Sequence, residues 1–213
     1  MKQLQLSPPL LIIVMGYPGA GKSFFARQFA ASYDYPHLSE ERIRYELFER
    51  PQFTADEADI ITRIQTYNLE QLFVTKQSVL CEGFFGSYKQ RKQLEDLAKK
   101  NGYRTLVVWL QTDLETSYMR ASKRDRRSVD ATYAFSLDKK TFASIKDKLE
   151  RPNEKEISVV ISGKHAFKSQ NLTVLKKIAA VYSADLEKTV SREAAATARP
   201  AINARPPHQR YIQ

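Results

Sequence analysis

The chain alternates short apolar runs with longer segments in which apolar residues recur at helical spacing. Most of the short runs are almost continuously apolar, such as "LLIIVM" at 10–15, and this pattern is typical of parallel strands buried on both faces. It predicts five strands: Leu11–Met15, Pro36–Leu38, Ser78–Glu82, Thr105–Gln111 and Ile157–Ser162. Strands that alternate with helices predict an α/β protein with a doubly wound sheet.

Helical segments separate these strands, and local stop signals set their ends. Thr54 is a good N-cap, Asn101-Gly102 is a normal helix stop, and Pro51 and Pro152 each follow a helix. The predicted helices are Ser23–Ser32, Glu40–Arg50, Ala55–Lys76, Tyr88–Lys100, Leu114–Arg124 and Lys139–Arg151. Residues 1–185 are therefore predicted to form one domain, and residues 186–213 a helix that frays into a disordered basic tail.

Three of the chain's seven glycines lie within six positions, in "GYPGAGKS" at 16–23. This stretch fits the phosphate-loop (Walker A) pattern G-x-x-x-x-G-K-[ST], with a strand before it and a helix after it. Glycines let the backbone wrap around phosphates, Lys22 can reach the β- and γ-phosphates, and Ser23 can bind Mg²⁺. The predicted ATP-binding residues are Gly16, Pro18, Gly19, Ala20, Gly21, Lys22, Ser23, Phe24 and, from the segment discussed below, Arg124.

Two acidic positions are placed to serve the same site. Glu41 and Arg44 are three residues apart at a helix start, so they share a face. Beside a triphosphate, Glu41 can act as general base on an acceptor hydroxyl, and Arg44 can bind the acceptor or balance charge. Glu82 ends the third strand, where a carboxylate that organises Mg²⁺ belongs. The alternative for Glu41 and Arg44 is a surface ion pair.

A basic stripe occurs near residue 120. Arg120, Lys123, Arg124 and Arg127 follow helical spacing and form one face. Such a helix can close over the transferring phosphoryl group as a lid, supplying charge where it develops and excluding water. A solvated basic face, or a nucleic-acid patch, is the alternative.

The net charge indicates which ligands the protein favours, and the cysteine content indicates its cellular compartment. The chain carries 34 basic and 24 acidic residues, a net charge of +10, which favours polyanions or phosphorylated small molecules as ligands. The single cysteine, Cys81, excludes an internal disulfide, and it lies in an apolar run, so a buried thiol and a cytoplasmic protein are expected. No apolar run approaches the ~20 residues that a membrane span needs.

The motifs "GYPGAGKS", "SEERIR", "CEG" followed by Arg91, and "RASKR" resemble the P-loop kinases that include polynucleotide 5′-hydroxyl kinases and zeta-toxin-type kinases, often described as AAA-domain ATP-binding proteins. The resemblance covers roughly residues 10–165. It implies a parallel sheet of order 2-3-1-4-5 with a helical lid, and Mg²⁺ and ATP as cofactors.

The same resemblance implies roles for single residues. Glu41 and Arg44 take the places of the family's Asp-x-x-Arg, Glu82 replaces an Asp at the end of the third strand, and Arg120 and Arg124 become the lid arginines. The expected activity is transfer of the γ-phosphoryl group of ATP to an acceptor hydroxyl. The acceptor is either a nucleic-acid 5′-hydroxyl or a small hydroxyl compound, and a nucleic-acid-binding or regulatory NTPase without a phosphorylated product is the alternative.

Overall fold

The computed structural model describes residues 6–49, 51–123 and 136–197 and contains a five-stranded, all-parallel sheet. The strands are β1 Leu10–Met15, β2 His37–Ser39, β3 Val79–Glu82, β4 Arg104–Gln111 and β5 Ser158–Ser162. Their order across the sheet is β2-β3-β1-β4-β5, which confirms the predicted order. Each strand begins and ends within one residue of its predicted bounds.

Helices flank this sheet and alternate with its strands along most of the chain. Within the described residues they are α1 Lys22–Tyr33, α2 Glu40–Leu47, α3 Ala55–Val74, α4 Tyr88–Lys100, α5 Leu114–Ser122, α6 Lys139–Asp147 and α7 Phe167–Thr197. None of them combines the length with the continuous apolar character that a bilayer span requires.

The central strand β1 is buried along its whole length, as its unbroken apolar sequence predicts. Leu11, Ile13 and Met15 pack on one face of the sheet in a cluster that includes Leu69 and Phe73 of α3. The intervening residues of β1 point to the other face and are equally buried. Because β1 lies between β3 and β4, the loop that follows it emerges at the middle of the sheet's carboxyl edge.

Helix α2 ends at Leu47, three residues before the predicted end at Arg50, which itself lies outside the described residues. The carboxylate of Glu57 accepts hydrogen bonds from the backbone N–H groups of Gln52 and Phe53, both at 2.7 Å. Phe53 has φ of 57°, in the left-handed region. This turn onto the start of α3 replaces the last turn predicted for α2.

Helix α6 also ends early, at Asp147 rather than at the predicted Arg151. The backbone N–H of Glu150 donates to the carbonyl of Gly86 at 2.7 Å, so the chain turns towards the loop after β3 instead of continuing the helix.

Helix α3 ends at Val74 rather than at Lys76, because Lys76 has φ of 56°, a left-handed conformation that does not continue a helix. The predicted end of α5 at Arg124 falls in the part of the chain that is not described.

The chain separates into two units, with the boundary between Leu175 and Lys176 inside α7. The predicted boundary between residues 185 and 186 and the predicted disorder of the tail stay predictions. The Cys81 thiol is fully buried, as expected, and burial raises its pKa far above the ordinary value.

Candidate active site

The glycine loop connects β1 to α1 and packs tightly against neighbouring backbone. Gly19 has φ of 79° and Gly21 has φ of 101°, conformations that favour glycine. A Cβ atom at Gly19 would overlap the carbonyl oxygen of Ser117 in α5. The loop can therefore keep this course only with glycine at position 19, and α1 begins directly after Gly21. A helix N-terminus at such a loop favours a bound anion.

The ammonium group of Lys22 folds back across the loop. Its Nζ donates to the carbonyl oxygens of Gly16 at 3.1 Å and Tyr17 at 3.2 Å, and the residue is 8% exposed. These neutral carbonyls are weaker partners than phosphate oxygens, because hydrogen bonds between charged groups are about twice as strong. The side chain is thus held where it can exchange its carbonyl partners for phosphate.

Glu82 ends β3 as a buried carboxylate with one unused oxygen. Its Oε1 lies 3.4 Å from His37 Nε2, and its Oε2 has no hydrogen-bond partner among the described residues. Burial by itself raises the pKa of the Glu82 carboxyl, but His37, Lys22 and Ser39 stabilise the charged form, so its pKa lies below the ordinary value.

A buried, ionised carboxylate with a free oxygen suits a divalent cation, and Ser23 lines the same cleft. Within the described residues no group of three or more His, Cys, Asp or Glu could hold a metal without help. This fits Mg²⁺, which takes few protein ligands and completes its shell with phosphates and water.

The other side of the loop contacts the ends of β4 and β5. Thr112 Oγ1 donates to the carbonyl of Ala20 at 3.1 Å, and a Cβ atom at Gly163 would overlap that same carbonyl. Arg120 Nη1 donates to the carbonyl of Gly163 at 3.2 Å. The segment that follows β5 therefore borders the phosphate loop, and Arg120 is joined to it.

Two helices and an aromatic cluster cover the tip of the loop. Phe142 of α6 packs edge-on against Tyr118 of α5, with ring centroids 5.3 Å apart, and lies 6.5 Å from the ring of Tyr17. Helices α5 and α6 thus lie beside the tip of the phosphate loop, and the predicted lid role of α5 stays a prediction. Arg120 is exposed on α5, whereas Arg124 and Arg127 lie outside the described residues. The basic stripe as a whole stays a prediction.

Arg44 is buried in an ion-pair network that the sequence reading did not identify. Its guanidinium contacts Glu40 Oε1 at 3.0 Å and Glu57 Oε2 at 3.2 Å, and it lies 4.7 Å from the ring centroid of Phe53. The second oxygen of Glu40 accepts from the N–H of Phe84, just after β3, at 2.7 Å. Arg44 is thus paired with two carboxylates, and both of its expected roles, binding the acceptor or balancing charge beside the triphosphate, stay predictions.

Arg91, a buried residue of α4, holds the turn after β3 in place through hydrogen bonds. It is 1% exposed and forms a two-point ion pair with Glu156, at 2.6 and 3.0 Å. Its Nη1 also donates to the carbonyls of Phe85 at 2.9 Å and Glu150 at 3.2 Å. Arg91 therefore ties the β3 turn to the segment that leads into β5, which only the fold could reveal.

A cleft of about 710 Å³ opens beside the phosphate loop, and half of the described site residues predicted from sequence line it. The predicted site residues that line it are Pro18, Lys22, Ser23, Glu41, Arg44 and Glu82. Those outside its lining are Gly16, Gly19, Ala20, Gly21, Phe24 and Arg120. Phe24 is 48% exposed. The cleft thus joins the phosphate side of the site to a chamber walled by α2, α3, α4 and α6.

Residues 11–152 match the family described as "AAA domain". The fold is similar to a gluconokinase from Sinorhizobium meliloti, with a TM-score of 0.61, 17% identity, and coverage of 85% of this chain and 98% of that one. It is also similar to Kti12 from Chaetomium thermophilum in complex with ADP-AlF3, with a TM-score of 0.62, 18% identity, and coverage of 78% and 96%.

A sugar kinase from a Janibacter species gives a TM-score of 0.61 at 15% identity, with coverage of 80% and 95%. No curated protein matches the chain in sequence. Identities this low establish the fold alone, so the polynucleotide-kinase or zeta-toxin subgroup stays a prediction. The family match spans more than half of the chain, and the sheet and phosphate loop agree with it. The chain therefore belongs to the AAA-domain family, with the fold of the P-loop kinases.

Proposed function

We propose that the protein is a kinase that transfers the γ-phosphoryl group of ATP to an acceptor hydroxyl. The observation that carries this proposal is the shared cleft: Lys22, Ser23 and Glu82 line it on the phosphate side, and Glu41 lines it nearby. Phosphoryl transfer requires room to hold an acceptor beside the phosphates, and this cleft provides that room. A cytoplasmic location remains an expectation from the single cysteine.

Each residue has a defined task in this reaction. The loop backbone and Lys22 bind the β- and γ-phosphates and stabilise charge that develops on them. Mg²⁺, when bound, neutralises phosphate charge, and the Ser23 hydroxyl and Glu82 carboxylate are the side chains that would hold it. Arg120, joined to the loop after β5, is near enough to the phosphate loop to act from the lid side.

The transfer itself is a displacement at phosphorus. The acceptor oxygen forms a bond to the γ-phosphorus while the bond to the β–γ bridging oxygen breaks, and that electron pair leaves with ADP. The hydroxyl proton passes to the carboxylate of Glu41. Glu40 is unsuited to this task, because both of its oxygens already accept hydrogen bonds from Arg44 and Phe84.

A second candidate is a nucleic-acid-binding or regulatory NTPase without a phosphorylated product. The basic residues beyond Leu186 favour it, with five basic and two acidic side chains. It predicts release of inorganic phosphate only, whereas the kinase predicts a labelled acceptor.

The test compares Glu41→Gln with Glu46→Gln, a matched change at an exposed position of the same helix. The assay uses ATP labelled in the γ-phosphoryl group. The acceptors are an extract of small molecules from cells and a 5′-hydroxyl oligonucleotide. Glu41→Gln should slow transfer of the label about 10²- to 10⁴-fold. ATP affinity should stay within about twofold, and Glu46→Gln should match wild type. Lys22→Met should weaken ATP binding or transfer. Phosphate release without a labelled product in wild type would refute the kinase.

A further inference from the structure

We propose that the acceptor is a small, uncharged hydroxyl compound with an apolar face, and not the end of a polynucleotide. This inference rests on the proposed kinase function and names the substrate class of the same cleft. Four features of the cleft support this acceptor class: the charges of its lining, the hydrogen bonds on α3, its apolar wall and its size.

Among the residues that the structure describes, the cleft lining has no surplus of positive charge, although the whole chain carries +10. Its described lining holds three basic and three acidic side chains: Lys22, Arg44, Lys148, Glu40, Glu41 and Glu82. Arg44 is compensated by two carboxylates, Lys22 serves the phosphate loop, and Lys148 is exposed. A polynucleotide is gripped through basic groups that neutralise its phosphates. Beyond the phosphate loop, Lys148 is the one basic side chain of the described lining that is not paired with carboxylates, and a single phosphate contact is a weak grip on a polynucleotide.

Two threonine hydroxyl groups on α3 donate hydrogen bonds to backbone carbonyls of their own helix. Thr62 Oγ1 donates to the carbonyl of Ala58 at 2.7 Å, and Thr66 Oγ1 donates to the carbonyl of Thr62 at 2.8 Å. Both threonines line the cleft. With this arrangement their remaining lone pairs are acceptors for a hydroxyl group of a ligand. Neutral acceptors of this kind suit a hydroxyl compound and offer nothing to a phosphate oxygen.

The amides of α4 complement them. Gln90 Oε1 accepts from the N–H and hydroxyl of Ser87, which leaves its NH₂ group as a donor, and Gln93 offers a neutral amide beside it. Neutral donors and acceptors along both walls suit a compound with several hydroxyl groups.

Apolar side chains complete the chamber. Phe53, Phe84, Leu94 and Ile145 line it from four different segments. They match the C–H face of a sugar-like ring or a short hydrocarbon part. The volume of about 710 Å³ falls in the usual range of small-molecule sites, about 300–1,000 Å³.

The experiment uses the full chain, ATP labelled in the γ-phosphoryl group, and three acceptor pools. These are the small-molecule extract that passes through an anion-exchange resin, the fraction that the resin retains, and a 5′-hydroxyl oligonucleotide. We expect label in the first pool, in a product that the resin now retains. Label only in the second or third pool would overturn the acceptor class and leave the kinase standing. No label in any pool, with ATP still hydrolysed, would overturn both.

A matched pair of variants ties the product to the cleft. Ser144 lines the cleft and Ala143 does not, and both are exposed on α6. Ser144→Trp should raise the KM for the neutral-pool acceptor by about tenfold or more and leave the KM for ATP unchanged. Ala143→Trp should change neither constant. Equal effects of the two variants on the acceptor KM would refute acceptor binding in this cleft.

Discussion

Replacing Arg91 with Met tests how the turn after β3 is held in place. The guanidinium is 1% exposed, pairs with both oxygens of Glu156, and donates to carbonyls on either side of the turn. Met fills much of the same volume but supplies none of these hydrogen bonds. The variant therefore leaves a buried, uncompensated carboxylate at Glu156, whose side chain is 4% exposed.

The expected cost follows from that unpaired charge. Removing one partner of a buried ion pair destabilises a protein by about 3–5 kcal/mol. With a urea dependence of about 2 kcal/mol per molar, the unfolding midpoint should fall by about 1.5–2.5 M. The matched control is Lys92→Met, one position along α4. Lys92 pairs with Glu95 and Asp96 on the surface, and we expect its loss to leave the midpoint unchanged.

The assay is equilibrium unfolding in urea, followed by circular dichroism, for wild type, both single variants and the double variant Arg91→Met/Glu156→Leu. Removing both charges should recover most of the lost stability, because an apolar pair of similar size replaces a buried ion pair at little cost. A loss below about 1 kcal/mol for Arg91→Met, or a double variant no more stable than the single one, would refute the reasoning.

Two further predictions concern the ends of β4 and β5. Gly163→Ala should displace the phosphate loop, since the added Cβ overlaps the carbonyl of Ala20. The free energy of unfolding should fall by about 1–3 kcal/mol, and ATP should bind more weakly in a titration. An ATP affinity equal to that of wild type would contradict the contact. Asp113 has its pKa lowered by its hydrogen bond from Lys164 and by capping α5, so its charge stabilises the fold above its ordinary pKa near 3.8 and this contribution is lost as the pH falls below it. Asp113→Asn keeps a good cap, so the melting temperatures of wild type and variant should differ at pH 7, and the difference should shrink as the pH falls below 3.8; a difference that does not shrink would argue against the ion pair.

Four of the five strands could be predicted because they are nearly continuous apolar runs. Strand β1 is such a run and ends at a glycine motif, so its burial follows from local composition, whereas its neighbours in the sheet followed from the family resemblance. The phosphate loop was equally readable, since Gly19 and Gly21 need conformations that few other residues adopt. Helix ends were harder to predict, because the chain after Leu47 is bound by the Glu57 carboxylate and the chain after Asp147 by the carbonyl of Gly86.

The surroundings of Arg44 show why part of the site could not be predicted. Helical spacing allows Arg44 to reach either Glu40 or Glu41, and sequence alone does not choose between them. The choice is made by Phe84, whose N–H holds the second oxygen of Glu40, and by Glu57, which comes from another helix. These partners are remote in sequence and meet only when β3 and α3 pack beside α2.

The net charge of the chain and the described lining of the cleft favour different acceptors, and the reason is physical. A total of +10 describes the field of the whole molecule, which steers and attracts polyanions from a distance. Specificity depends instead on the groups that line the site, and Arg44, the one arginine of the described lining, already shares its charge with Glu40 and Glu57. A charged acceptor would have to compete with those carboxylates, whereas a neutral hydroxyl compound would not. The lining of the cleft therefore outweighs the charge of the chain, and a basic protein can still have an uncharged substrate.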